Sequence, residues 1–249
     1  MINLSKQVLN RRMWNAKSYK KVVNGTLTAI HNMGLLSQDK NTIDVGAAAG
    51  LLSTFFAKNS KEVYCYEPSP SFPQTQKIEK KFKNVIAFNC AVGNHTGQTE
   101  FWVDDRRLSQ NGFLNPGWGQ KTEVHTVKLD DQDHHDVGFV KIDTEGTELD
   151  VLRGMESTLT RDHPSFMIEI WDKNCKYPLR NIFEYMFNND YATYWYHIKK
   201  KKIMYCRTVD QAVKDVSIEG YPHDADFIFV HHSRILQDYT RCLIRPVTG

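Results

Sequence analysis

The stretch Thr42-Ile43-Asp44-Val45-Gly46-Ala47-Ala48-Ala49-Gly50 constrains this chain more than any other: a short apolar strand runs into small residues and then into a helical pattern carrying Leu51, Leu52, Phe55 and Phe56. That layout presents helix N-terminal amides, with no bulky side chains in the way, where a nucleotide-like ligand can reach the backbone. About twenty residues on, at the spacing such units use, a second apolar strand, Glu62-Val63-Tyr64-Cys65-Tyr66, ends in Glu67-Pro68. A carboxylate at that place suits a ribose, because it accepts hydrogen bonds from two vicinal hydroxyls.

The glycine spacing selects among nucleotide ligands. A dinucleotide fingerprint uses three glycines, G-x-G-x-x-G, the second so that the backbone can meet a pyrophosphate and the third for helix packing. Here Ala48 holds the second place and Leu51 the third. A pyrophosphate ligand is disfavoured, whereas S-adenosylmethionine, with a ribose and an adenine but no phosphate, fits. Taken alone, the turn also matches a tight strand-to-helix connection in any α/β protein.

Downstream, Val137-Gly138-Phe139-Val140-Lys141-Ile142-Asp143-Thr144-Glu145-Gly146-Thr147-Glu148-Leu149-Asp150-Val151-Leu152-Arg153-Gly154 resembles the hallmark of FkbM-type methyltransferases, whose fourth strand ends in a Lys-Ile-Asp-x-Glu-Gly-x-Glu run followed by a Leu-Arg-Gly helix end. Matching features stand at 44–46, at Glu67-Pro68-Ser69-Pro70, at Asn89-Cys90-Ala91-Val92-Gly93, at Leu129-Asp130-Asp131 and at Pro164-Ser165-Phe166-Met167-Ile168-Glu169, in the family's order. The resemblance spans residues 40–172. It implies an S-adenosylmethionine-dependent enzyme on the Rossmann-like class I methyltransferase fold.

A length of 249 residues with 41% hydrophobic content is compatible with one α/β domain. We expect a helical extension at 1–35 and a methyltransferase domain at 36–249. No apolar run approaches the roughly 20 residues of a membrane span, and the N-terminus lacks the apolar core of a secretory signal. The expectation is a soluble cytoplasmic protein. Five cysteines without a Cys-x-x-Cys pair argue against a disulfide framework and a zinc site, and Cys65 and Cys90 read as buried small hydrophobes. A net charge of +3 is too small to establish a nucleic-acid partner. Lys77, Lys80, Lys81 and Lys83 read as a solvated helix face, and Lys199 to Lys202 as a turn between two strands.

Periodicity supplies the architecture. Strands are expected at 42–46, 62–67, 85–90, 138–143 and 165–171, with helices near 73–82, 146–160 and 178–189. Residues 98–104 and 122–129 alternate like strands around a Gly/Asn/Pro-rich loop at 105–121. Tyr191 to Ile198 and Asp226 to Val230 read as a terminal pair. The fold class is α/β, a doubly wound, mostly parallel seven-stranded sheet, and the resemblance implies strand order 3-2-1-4-5-7-6 with the seventh strand antiparallel.

Ligands bind beyond the carboxyl ends of parallel strands, which places Asp44, Gly46, Glu67, Cys90, Asp143, Glu145, Glu169 and Asp172 on the functional edge. His134, His135 and Asp136 precede a strand and read as a solvated turn on the opposite edge; His231 and His232 end an antiparallel strand and should face away as well. For the cofactor, Gly46 and Gly50 offer close backbone approach to the methionine moiety. Asp44 is assigned its amino group or a bridging water, Glu67 the ribose, and Cys90 and Ala91 the rim of the adenine. Asp143 and Glu169 are the candidate catalytic pair, since methylation of a hydroxyl needs a positioned base or a metal. Asp143, Glu169 and Asp172 together resemble the magnesium sites of some sugar O-methyltransferases. Against that, Asp143 and Glu145 could simply cap the following helix, and Glu148 and Asp150 read as structural. Arg106, Arg107, Asn111, Pro116 and Trp118 make 105–121 a candidate acceptor lid, Trp118 serving as a sugar platform and Trp102 as core. The reading is an O-methyltransferase of a sugar, glycan or other small molecule. An RNA methyltransferase and a non-catalytic S-adenosylmethionine-binding module are the alternatives; the Lys-Asp-Lys-Glu tetrad common in the RNA-directed class has no second lysine here, because Glu169 stands in its place.

Overall fold

The computed structural model describes residues 17–104, 111–114, 117, 119–170, 175–197, 200–216 and 225–235. In chain order the elements are α1 (Lys17–Asn32), β1 (Asn41–Val45), α2 (Leu51–Phe56), β2 (Val63–Tyr66), α3 (Phe72–Lys81), β3 (Val85–Phe88), β4 (Ala91–Val92), β5 (Gly97–Val103) and β6 (Gln120–Val127). Then follow β7 (Val137–Ile142), α4 (Glu148–Arg153), α5 (Glu156–Asp162), β8 (Ser165–Ile170), α6 (Arg180–Asn188), β9 (Tyr191–His197), β10 (Lys202–Cys206), α7 (Val209–Val216) and β11 (Ala225–His231).

The main sheet has the order β10-β9-β11-β8-β7-β1-β2-β3. Its five strands from β3 to β8 are parallel, and β11 is antiparallel to both β8 and β9. The expected order 3-2-1-4-5-7-6 is present, but the sheet has eight strands rather than seven. The addition is β10, which the exposed turn at Lys200 and Lys201 folds back onto β9. Strands covered on both faces read as continuous apolar runs, and β1 and β7 are buried throughout. One face packs Leu149, Leu152, Phe183 and Met186 of the later helices against Ile43, Val45, Val140 and Ile142. The other packs Leu27 and Ile30 of α1 and Phe55 and Phe56 of α2 against Val63 and Phe139. A small sheet, β4-β6-β5, stands beside it.

The single helix expected over 146–160 is broken into α4 and α5. A Cβ at Gly154 would collide with the Gly93 carbonyl oxygen, and the Gly154 carbonyl accepts from Asp130 N at 3.0 Å. The Asp130 carboxylate accepts in turn from Ser157 N at 2.8 Å and Thr158 N at 2.9 Å, satisfying amides at the start of α5 that would otherwise lack partners. The Leu129-Asp130-Asp131 motif is thus a helix brace. Cys65 and Cys90 are buried and unpaired, and Lys77, Lys80, Lys81 and Lys83 are exposed.

Candidate active site

At the carboxyl edge, β1 runs into a turn built almost wholly from backbone. The N–H groups of Gly46 and Ala47 both donate to the Tyr66 carbonyl at 3.0 Å, which ties β1 to β2 where the two strands end. Gly46 has φ +72°, and a Cβ there would strike the Asp143 carbonyl oxygen, so only glycine lets the ends of β1 and β7 come this close. Gly50 also has positive φ and lies flush against Ile78. Glu67 closes the turn from the side. Its Oε2 accepts from Ala48 N at 2.6 Å and its Oε1 from Ser69 N at 2.8 Å. Burial pushes the Glu67 carboxyl up, against the lowering effect of the bonds from Ser69 and Ala48. Each carboxylate oxygen still has a second lone pair.

Beneath the turn, Asp44 is sealed: Ser53 Oγ donates to its Oδ2 at 2.6 Å, and its Oδ1 has no hydrogen-bond partner. It faces Ser53 and Lys141 rather than the open side of the turn, and burial raises its carboxyl. Lys141, with a side chain only 4% exposed, reaches Asp44 Oδ1 at 3.7 Å and Asp143 Oδ2 at 3.1 Å, and donates to the Gly46 carbonyl at 2.7 Å. Burial pulls the ammonium down, but Asp143 and Asp44 outweigh it and hold Lys141 protonated. Asp143, Glu145 and Glu169 bring carboxylate oxygens within 4.8 Å of one another. Burial opposes ionisation of Asp143, yet Lys141 and a hydrogen bond from Glu169 prevail and keep its carboxyl below the ordinary range. Burial and the Asp143 charge push Glu169 well above its ordinary value. The two carboxyls are thus driven in opposite directions, Asp143 toward the ionised form and Glu169 toward the protonated one.

The loop after β7 is braced internally. Glu148 Oε1 accepts from Gly146 N at 2.9 Å, Thr144 Oγ1 at 3.1 Å and Thr144 N at 3.2 Å. It holds Glu145 at φ +57°, a conformation unfavourable for a side chain with a Cβ. The helix expected to start at 146 begins at Glu148 with Thr147 as N-cap and no side-chain cap; the Asp143 carboxylate lies on Lys141. Asp150 accepts from Lys176 Nζ at 2.7 Å, Tyr177 OH at 2.9 Å and Asn94 Nδ2 at 3.0 Å.

Several expectations meet a different environment. His134 is buried, not solvated: its Nε2 lies 2.6 Å from Tyr66 OH, its ring stacks on Tyr64, and burial pulls it down to about 4. Apolar packing against β2 won over the polarity of the His-His-Asp run, while His135 remains exposed beside Asp133. Trp102 is half-buried rather than core; its neighbour Phe101 takes the inward position, and its backbone pairs with Gly112. Gly112 lies against the Cβ of Glu145, so this part of the 105–121 segment borders the carboxylates. Arg106, Arg107, Pro116, Trp118 and Asp172 lie outside the described residues. Cys90 and Ala91 follow β3 as buried residues, Ala91 opposite Thr126 in the small sheet. His231 ends β11 on the far edge, stacked on His163.

Two acidic-site neighbours escaped the sequence assignments. Lys141 was detectable as a lone charge in the apolar strand Val-Gly-Phe-Val-Lys-Ile, since a buried ammonium requires carboxylate partners. Asp226 opens the antiparallel β11 directly opposite Glu169; antiparallel strands bring their first residues, not their last, to this edge.

No curated protein matches the chain by sequence. Among solved structures, an FkbM methyltransferase from Methylobacillus flagellatus KT is 16% identical with a TM-score of 0.50, the alignment covering 90% of this chain and 57% of that one. This chain therefore spans little more than half of that relative's length. An rRNA methylase from Streptococcus thermophilus (11% identity, TM-score 0.47, 82% of this chain and 93% of that one) and a SAM-dependent methyltransferase from Aquifex aeolicus (12%, 0.44, 92% and 96%) are also similar. At such identities the likeness concerns the fold alone. The model of the methyltransferase FkbM domain matches residues 44–193, from the sealed aspartate of the turn to the middle of β9, and by that match the chain belongs to the FkbM methyltransferase family.

Proposed function

We propose that the protein is an O-methyltransferase whose acceptor is a hydroxyl of a sugar, glycan or other small molecule, with residues 36–249 as the catalytic domain and 1–35 as a helical extension. The observation that carries this reading is geometric: Asp143, Glu145 and Glu169 gather their carboxylate oxygens within 4.8 Å of one another at the ends of β7 and β8, where Asp143 N is bonded to Val45 O beside the cofactor turn. The residues present suit S-adenosylmethionine: the turn offers small side chains from Gly46 to Gly50, and Glu67 has spare lone pairs for a diol. Bound there, the cofactor supplies an electrophilic methyl on a sulfonium.

The chain's own contribution is orientation and proton handling. Glu67 engages the ribose, the Gly46 to Gly50 backbone approaches the methionine moiety, Asp44 holds the turn through Ser53 and Lys141, and Cys90 and Ala91 border the adenine. Asp143 accepts the proton of the acceptor hydroxyl at hydrogen-bond distance, roughly 2.6–3.2 Å. Glu169 and Lys141 both donate to Asp143 and fix its carboxylate, leaving a remaining lone pair for the acceptor hydroxyl. Alignment of nucleophile and methyl accounts for much of the remaining acceleration.

Magnesium is a second element of the proposal. The oxygens of Asp143, Glu145 and Glu169 lie close enough together to share a cation, which would take the place of the proton between Asp143 and Glu169, hold a sugar diol and lower its pKa. The test is methyl transfer from labelled S-adenosylmethionine to a panel of glycosides, other hydroxyl compounds and RNA. Asp143→Asn keeps shape but removes the charge, and should lower turnover by roughly 10²-fold or more with cofactor affinity within a few-fold. Chelation should mimic that loss, and magnesium reverse it, if the cation is required. Label in RNA alone would overturn the acceptor class, and unchanged turnover in Asp143→Asn would overturn the base.

A further inference from the structure

Lys141 touches both halves of the site at once. An ammonium has three N–H donors on a tetrahedral frame. The Gly46 carbonyl lies at 2.7 Å and Asp143 Oδ2 at 3.1 Å, the third donor meets Val45 O at 3.4 Å, and Asp44 Oδ1 at 3.7 Å adds charge attraction without a hydrogen bond. Its stem lies in the fully buried β7, so the ammonium has little freedom. The two turns already meet through backbone, Asp143 N donating to Val45 O at 3.1 Å, and Lys141 adds a side-chain bridge from the cofactor turn to the acceptor carboxylate.

We propose that Lys141 is a positioning residue for methyl transfer: by holding the Gly46 carbonyl and the Asp143 carboxylate with one ammonium, it couples occupancy of the cofactor turn to the order of the 143–148 turn. The inference rests on the reading of Asp143 as the group that faces the acceptor. A lysine that merely neutralised two buried carboxylates could be replaced by any cation. A positioning lysine could not, because the planar fork of arginine cannot distribute its donors tetrahedrally.

Hydrogen exchange of the full chain, with S-adenosylhomocysteine as probe, separates the two. In the natural protein the probe should protect peptides covering both 46–50 and 143–148. In Lys141→Met and in Lys141→Arg, probe affinity should weaken about tenfold, the size of one charge-assisted hydrogen bond, and at saturation protection should persist at 46–50 and vanish at 143–148. Lys141→Arg keeps the positive charge and decides the matter if Lys141→Met fails to fold. Protection at 143–148 in Lys141→Arg equal to that of the natural protein, or no such protection in the natural protein, would overturn the proposal. The readout uses no acceptor, so its failure leaves the turnover test of Asp143 standing, and failure of that test leaves the exchange result intact.

Discussion

Glu67→Gln offers two magnitudes from one substitution. In the structure the Glu67 carboxylate already accepts from Ala48 N at 2.6 Å and Ser69 N at 2.8 Å. A glutamine can keep only one of these, because its amide nitrogen would face the other N–H donor. Losing one charge-assisted hydrogen bond costs about 1.5–3 kcal/mol. Burial disfavours the charged form of Glu67, so a neutral amide recovers part of that cost, and the expected loss of folding stability is about 1–2 kcal/mol. The ribose contributes separately. Its hydroxyls donate to the spare lone pairs only when cofactor is bound, so affinity for S-adenosylmethionine should fall by a further 10-fold or so, about 1.4 kcal/mol. Urea titration of the free protein reads the first quantity and calorimetry with S-adenosylmethionine the second. Unchanged stability would mean that the turn does not depend on Glu67; unchanged affinity would remove the ribose from Glu67.

The other predictions concern the turn, the buried imidazole and cofactor choice. Gly46→Ala forces an alanine into positive φ and drives its Cβ into the Asp143 carbonyl; a loss of about 2–4 kcal/mol in urea melts is expected, and wild-type stability would show that the β1 and β7 ends can separate freely. His134 has a folded value of about 4, below the ordinary 6.5, so its neutral form is favoured by folding; this stability is complete above 6.5 and lost as pH falls toward 4. Between pH 7.5 and pH 5 it should cost about 2 kcal/mol, and His134→Gln should lack that part of the acid sensitivity in paired urea melts. Calorimetry should find binding of S-adenosylmethionine and its demethylated product and none of NAD, because Ala48 replaces the glycine a pyrophosphate needs; tight NAD binding would refute the spacing argument.

The sequence by itself determined the elements whose cause is local. Continuous apolar runs ending at Val45, Tyr66 and Ile142 specify buried parallel strands, because a strand covered on both faces has no polar side. The small residues from Gly46 to Gly50 specify a tight turn, and Glu67 marks the end of the second strand. The order of strands followed from the family resemblance together with short, right-handed connections. Tertiary structure decided what depends on distant partners. The helix ends at Gly154, a position that must be glycine because the Gly93 backbone leaves no room for a Cβ and whose carbonyl is taken by Asp130 N. His134 is buried because Tyr64, Tyr66 and Phe88 form an aromatic wall that no local pattern announces. Lys141 remains charged inside a strand because Asp44 and Asp143, from different segments, converge on it, and Asp226 reaches the site because β11 runs against its neighbours. The residue types in the site are legible one by one. Which of them share a proton, an ammonium or a wall is set by strand order and direction, which bring together groups from β1, β7, β8 and β11.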